Sequence, residues 1–358
     1  MPNIKERDHA IDMARGIAML LVIVGHIKCA SSTVVIWIYS FHMPLFFALS
    51  GMVFSIKKYP GFSKFLRAKA KSLLVPYYCL NLILFVLSNL SDIFISLVKR
   101  ETPVLDVKIL KNFVGIFLGY RLTDYYFEMY FIMALFIALT AFYFVAKVAE
   151  KIKGRGFKNV FLIAFCVLSA CIGKLILSEN KGFFLSLDIV PTAMSFVSLG
   201  YLIGLNKRKG ETERSFKIYL FPVALGINYV FMHLNGIADL NRADTGKLLY
   251  YMLAAVSGIW GVLILCYENR GSRLLEYIGR NSLIFYAFQH KFAIKNLTFA
   301  VTCVMGKTGV LLDDHRQPTV FFITVLSCLV LAAMSEIINR YFPFLIGKKK
   351  PENESAKD

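Results

Sequence analysis

The sequence predicts an all-α integral membrane protein, a bundle of about ten transmembrane helices with both termini in the cytoplasm. Three observations predict it. The chain is 57% hydrophobic and only 18% charged, whereas a soluble domain carries ~25% charged residues. Ten apolar runs are long enough to cross a bilayer, and Lys and Arg concentrate on one side of them.

The runs fall at 11–30, 34–56, 73–97, 125–146, 159–178, 188–205, 216–234, 247–267, 281–304 and 319–344. The apolar stretch Leu110 to Gly119 is too short to cross and reads as interfacial or re-entrant. With the N-terminus inside, the cytoplasmic segments are 1–10, 57–72, 147–158, 206–217, 268–280 and 345–358. They hold 25 Lys and Arg, against 12 in the segments on the other side. Residues 1–345 form one transmembrane domain, and 346–358 a polar cytoplasmic tail. The net charge of +18 sits in short loops between apolar runs, not on one stripe. That distribution sets topology and excludes nucleic-acid binding. The seven cysteines lie in or beside apolar segments with no CxxC or metal-ligand spacing, so no metal is expected. The first run lacks a small-residue cleavage site and is followed at once by another span, unlike a signal peptide.

The first span carries Asp12, Arg15 and His26 in "IDMARGIAMLLVIVGH". Such groups are costly in hydrocarbon and belong against the bundle interior or a water-filled cavity. Arg15 and His26 are eleven residues apart; at 100° per residue they share a helix face, ~16 Å apart along the axis. Asp12, one turn before Arg15, is placed to pair with it. The other reading makes Asp12 and Arg15 snorkelling interface residues and His26 an outer cap. The second span, "YSFHMPLFFALSGMVF", adds His42, Pro44 and Ser50. Pro44 is expected to kink that span, and His42 to join a shared polar interior or serve helix packing.

The loop after it holds six cations in fifteen residues. It anchors the chain to anionic lipid, or it receives a multiply phosphorylated cytoplasmic ligand through Arg67, Lys69 and Lys71. "YIGRNSLIFYAFQH" opens the ninth span with Asn281 and Ser282 and carries His290 about halfway across. Glu128, just inside the fourth span, is a substrate contact or an interface residue. The sequence has no P-loop, HExxH or GxSxG, so NTP hydrolysis, zincin proteolysis and α/β-hydrolase chemistry lack their signatures.

These stretches resemble the membrane acyltransferase-3 family. The opening "IDMARGIAMLLVIVGH" and "FHMPLFFALSGMVF" match its D-x-x-R-G start, its R-x10-H first helix and its F-H-M-P-L-F-F-x-L-S-G second. "IGRNSLIFYAFQH" is similar to its late I-G-x-N-S-L…Y…H segment, and "MYFIMALF" is a weaker echo of W-F-L-x-x-L-F with Tyr130 replacing tryptophan. Within the family the likeness is to the fucose 4-O-acetylase-like and exopolysaccharide acyltransferase branch. The resemblance implies a multi-pass plasma-membrane (bacterial inner-membrane) O-acyltransferase. It would move an acyl group, acetyl above all, from cytoplasmic acyl-CoA to a hydroxyl of a cell-surface polysaccharide or lipid-linked sugar. It makes His26 the catalytic histidine and Arg15 its partner, with acetyl-CoA as co-substrate and no permanently bound cofactor. The R-x-x-R of many members is replaced here by Arg67, Lys69 and Lys71. Two mechanisms are open for His26: general base on a sugar hydroxyl or acyl carrier. His42, Ser50 and Asn281 are candidate thioester-oxyanion donors. The competing class is a transporter or flippase of a lipid-linked sugar, for which internal repeats and paired broken helices are expected.

Overall fold

The computed structural model describes residues 8–27, 30–100, 108–119, 129–179, 184–207, 217–242, 244–269, 271–308 and 316–348. Fifteen α-helices account for most of them, and among the described residues the only β-type pairing is the bridge Asp239–Asp244. In chain order the helices are α1 His9–Gly25, α2 Ser32–Tyr39, α3 His42–Met52, α4 Phe62–Lys69, α5 Val75–Lys99, α6 Lys108–Leu118, α7 Tyr130–Lys151 and α8 Arg155–Glu179. They continue with α9 Val190–Lys207, α10 Phe221–Asn235, α11 Leu248–Glu268, α12 Arg273–Arg280, α13 Ser282–Phe288, α14 Lys295–Thr308 and α15 Arg316–Tyr341.

Among the described residues, eight helical stretches are long and apolar enough to cross a membrane. The other two predicted spans are α1, with 17 residues, and the path Ser282–Thr308, which a π-helical segment interrupts at Gln289–Ile294. Helix α6 has 11 residues, ~16 Å of rise, about half a hydrocarbon core.

Between apolar helices in a bilayer, close approach through small residues replaces water exclusion as the source of attraction. Here α3 lies against α9 through Gly51, Gly200 and Gly204. A Cβ on Gly51 would lie 2.9 Å from the Val197 carbonyl carbon, and one on Gly200 would lie 2.6 Å from that of Ala48. Aromatic side chains fill the interior beside them, with Phe54 meeting Phe142 at 5.5 Å and Tyr201 at 5.8 Å. Helices α5, α8, α10 and α15 form the periphery and turn Phe94, Leu175, Val223 and Phe321 outward, where lipid receives them.

The second span is not a continuous helix kinked at Pro44. It breaks earlier, at Ser40 and Phe41, and Pro44 is the third residue of α3. The first N–H groups of a helix have no internal acceptor, so proline costs nothing there and favours the helical start. The segment 268–280, expected as a loop, contains α12, whose one face carries Leu275 and Ile278 and whose other carries Arg273 and Arg280.

The segments assigned to the cytoplasm by charge meet at one end of the bundle. Asp8 accepts from Lys207 (2.5 Å), His9 pairs with Glu276 (2.8 Å) and Arg155 donates to Asn206 (3.3 Å). Gly347 lies directly on the Lys71 carbonyl. Lys348, in the predicted tail, donates to Asn339 (2.7 Å); residues 349–358 lie outside the described residues. At the opposite end Lys174 donates to the Gly246 carbonyl (2.7 Å), joining two segments assigned to the far side.

Candidate active site

The site begins where α1 crosses α12. Both helices present glycine at the crossing. A Cβ on Gly16 would lie 2.8 Å from the Leu275 carbonyl carbon, and one on Gly279 equally close to that of Asp12. This contact explains the glycines of "RG" and "IGRN" and brings the two stretches together. It also lets Arg280, paired with Glu276 one turn back in its own helix (2.7 Å), reach Asp12 (3.3 Å). Asp12 is only 2% exposed and faces Arg15 as well, at 3.5 Å. A carboxylate this buried needs compensating charge, and the two guanidinium groups supply it. Lys58 and Arg15 each lie within electrostatic reach of Lys69, so the cytoplasmic mouth carries more positive than negative charge. Of the three predicted phosphate binders, Lys69 turns inward, half-buried beside the Phe65 ring, whereas Arg67 and Lys71 are exposed.

At its other end α1 stops at Gly25, and His26 caps it, donating its backbone N–H to the carbonyls of Val22 and Ile23 at 3.2 Å. Gly25 leaves room for α2 to close over this end: a Cβ there would lie 3.2 Å from the Tyr39 ring. Tyr39 consequently stands between two histidines, its ring centroid 6.5 Å from His26 and 5.0 Å from His42. His290 also approaches, its ring 4.7 Å from that of His26 and tilted by 33°. It is presented by the π-helical segment Gln289–Ile294, a widened turn of the kind frequent at functional positions. His42 Nδ1 lies 2.7 Å from the Ile38 carbonyl. A carbonyl only accepts, so Nδ1 carries the hydrogen and, in the neutral ring, Nε2 carries the lone pair.

Two histidines of the opening spans, His26 and His42, are thus gathered with the distant His290 at the far end of α1, with Arg15 about 16 Å away along the same helix. Other predicted residues are engaged in the framework. Ser50 Oγ donates to the Phe46 carbonyl (2.8 Å). Asn281 joins α12 to α13, donating to the Tyr277 carbonyl (3.1 Å) and accepting from Asn339 (2.8 Å). Ser282 opens α13, half-buried. Glu128 lies outside the described residues. Among the described residues no group of three or more His, Cys, Asp or Glu side chains could hold a metal ion.

Sequence reasoning missed Tyr39, Arg280, Glu276 and Lys58. Glu276 and Arg280 carried a signal, an i,i+4 pair on a helix face. Tyr39 carried none, since its position depends on the break at Ser40.

A multi-helix membrane protein with arginine and lysine at its inner mouth and clustered histidines deeper in the bundle is the class that fold and site define. The sequence matches the acyltransferase-3 family, described as an acyltransferase domain, over residues 8–336. The chain belongs to that family and is a membrane acyltransferase. Neither a curated protein nor a solved structure matches it significantly.

Proposed function

We propose that this protein is a plasma-membrane O-acetyltransferase that uses cytoplasmic acetyl-CoA to acylate a hydroxyl of a cell-surface polysaccharide or its lipid-linked precursor. The observation that carries the reading is the geometry of α1: Arg15 and Lys69 at the cytoplasmic mouth and the His26–His290 pair, 4.7 Å apart, at the other end. An extended thioester arm anchored by its phosphates on Lys69 and Arg15 would run along this helix to His26. Asp12 and Arg280 hold the Arg15 end of the helix in place.

His26 acts as general base. Its ring nitrogen takes the proton of the acceptor hydroxyl as that oxygen bonds to the thioester carbonyl carbon. The carbon–sulfur bond then breaks, and the proton passes to the departing thiolate, so the histidine is regenerated. Positioned proton transfer of this kind contributes ~10²–10⁴-fold. Tyr39 and His290 pack about the His26 ring, with His42 behind Tyr39, and preorganised geometry adds to the rate. Acyl transfer through the imidazole itself is the competing route.

The test supplies membranes containing the protein with radiolabelled acetyl-CoA and glycan or polyprenyl-linked acceptors. Label should reach the acceptor with the native protein and fail to do so with His26→Ala. Transfer undiminished in His26→Ala would refute the role of His26. Sugar movement across the membrane without any acyl transfer would replace the enzyme with a transporter. Single-turnover trapping of labelled protein separates the acyl-carrier route from general-base catalysis.

A further inference from the structure

The described residues of the connection between α10 and α11, 236–242 and 244–247, lie at the end of the bundle opposite the cationic mouth and play no part in the chemistry described above. They form a built structure. Asp239 and Asp244 exchange backbone hydrogen bonds of 2.6 and 2.9 Å. The Asp239 carboxylate accepts the Asn241 backbone N–H at 2.9 Å, and Lys174 clamps the Gly246 carbonyl at 2.7 Å. Within it, Thr245 and the neighbouring Tyr251 of α11 are each only 1% exposed. Among the described residues, Thr245 Oγ1, Tyr251 OH and Asn241 Oδ1 are buried with no hydrogen-bond partner. Tyr251 feels the charge of Asp239. Burying three polar atoms unpaired beside a carboxylate is unfavourable, and a ligand that supplies hydroxyl groups would relieve it.

The location connects this group to the histidines. Asn228 donates to the Ala254 carbonyl (2.7 Å) and to Ser40 Oγ (3.2 Å), two residues before His42. Gly258 of the same helix rests against the Phe41 ring. Tyr251 is one turn further out than Ala254, and Thr245 lies beyond it, so the polar group stands ~5–15 Å outward of the Ser40 level. One to two sugar residues span that distance.

We propose that Asp239, Asn241, Thr245 and Tyr251 form a recognition subsite for the sugar acceptor, taking a hydroxyl-rich pyranose whose neighbouring hydroxyl is thereby presented to the His26 end of α1. That the presented hydroxyl is acylated rests on the function proposed above; binding of the sugar does not. The carboxylate and amide oxygens accept from sugar hydroxyls, and the Thr and Tyr hydroxyls both donate and accept.

The test uses the detergent-solubilised full chain and the methyl glycosides of glucose, galactose, fucose and N-acetylglucosamine, with binding read by saturation-transfer NMR. Tyr251→Phe and Thr245→Val remove one hydroxyl each with little change of shape, and Thr245→Ser restores it. At least one glycoside should bind the native protein. Each deletion should weaken that binding by about tenfold or more, and Thr245→Ser should recover it. In the transfer assay the acceptor KM should rise by the same factor, with the acetyl-CoA KM unchanged. Absence of glycoside binding by the native protein, or equal binding by both deletions at native thermal stability, overturns the proposal. Glycoside binding that the deletions weaken, in a protein that transfers no acyl group, leaves the subsite standing and refutes the acetyltransferase reading.

Discussion

Adding one methyl group at Gly16 should disable the protein more than its size implies. A Cβ there would lie 2.8 Å from the Leu275 carbonyl carbon, with the carbonyl oxygen closer still, whereas ordinary contact starts at 3.4 Å. Neither partner is a flexible side-chain tip, so α1 and α12 must separate by roughly an ångström, an overpacking that costs about 1–3 kcal/mol. The separation would act on the residues α1 carries. Arg15 is the preceding residue and the Asp12–Arg280 bond spans the same crossing, while a misplacement near 1 Å costs reacting groups on the order of 100-fold in rate. The assay pairs the thermal midpoint of the detergent-solubilised protein with acyl transfer per folded molecule. Gly16→Ala should lower both, and Gly279→Ala should do the same. Gly226→Ala is the control: it sits on an exposed face of α10 with nothing within 4 Å of a Cβ, and alanine there should be neutral or stabilise by up to ~1 kcal/mol. Gly16→Ala behaving like Gly226→Ala would refute the crossing as the device that positions Arg15.

Asp12→Asn leaves Arg15 and Arg280 facing one another without the intervening charge. Because Arg280 is 42% exposed, solvent moderates the loss to about 1–3 kcal/mol, to be read as a lower thermal midpoint that Asp12→Asn combined with Arg280→Gln partly restores. Asn at position 42 keeps a donor for the Ile38 carbonyl and discards the second ring nitrogen, whereas Gln shifts its amide towards that second position. His42→Asn should therefore retain stability, and its transfer rate reports whether Nε2 serves the reaction; equal melting of both variants would deny the Ile38 bond its anchoring role. Lys69→Gln should raise the KM for acetyl-CoA about tenfold, the loss of one charge-assisted contact. Arg67→Gln, on the exposed face, should raise it by less, and the reverse order would move the phosphate site outward.

The apolar runs declared the helices because length and hydropathy are local properties, and the charged segments that counting assigned to one side do meet there. The Asp12–Arg15 pair was legible from its one-turn spacing. The break before α3 was not, since Pro44 attracts the eye while the chain turns at Ser40 and Phe41, where no residue announces it. The π-helical turn that carries His290 depends on packing against α1, α5 and α15, and no local signal encodes it. Nor did the glycines of "RG" and "IGRN" reveal that they face each other. Each is silent alone, and the pairing is a property of two helices more than 250 residues apart in the chain.

That separation bears on how the protein is made. Helix α1 leaves the ribosome long before α12, with Asp12 and Arg15 inside it, and the arginine that completes its charge balance follows Asp12 by 268 residues. At ~5–20 residues per second the delay is roughly 15–50 s, during which Asp12 has Arg15 but not Arg280, and α1 lacks its glycine seat. A nascent chain halted before α12 holds Asp12 against Arg15 alone, with the face of α1 that receives α12 still uncovered. Helix α1 is made well before α12 and is locked only when α12 arrives.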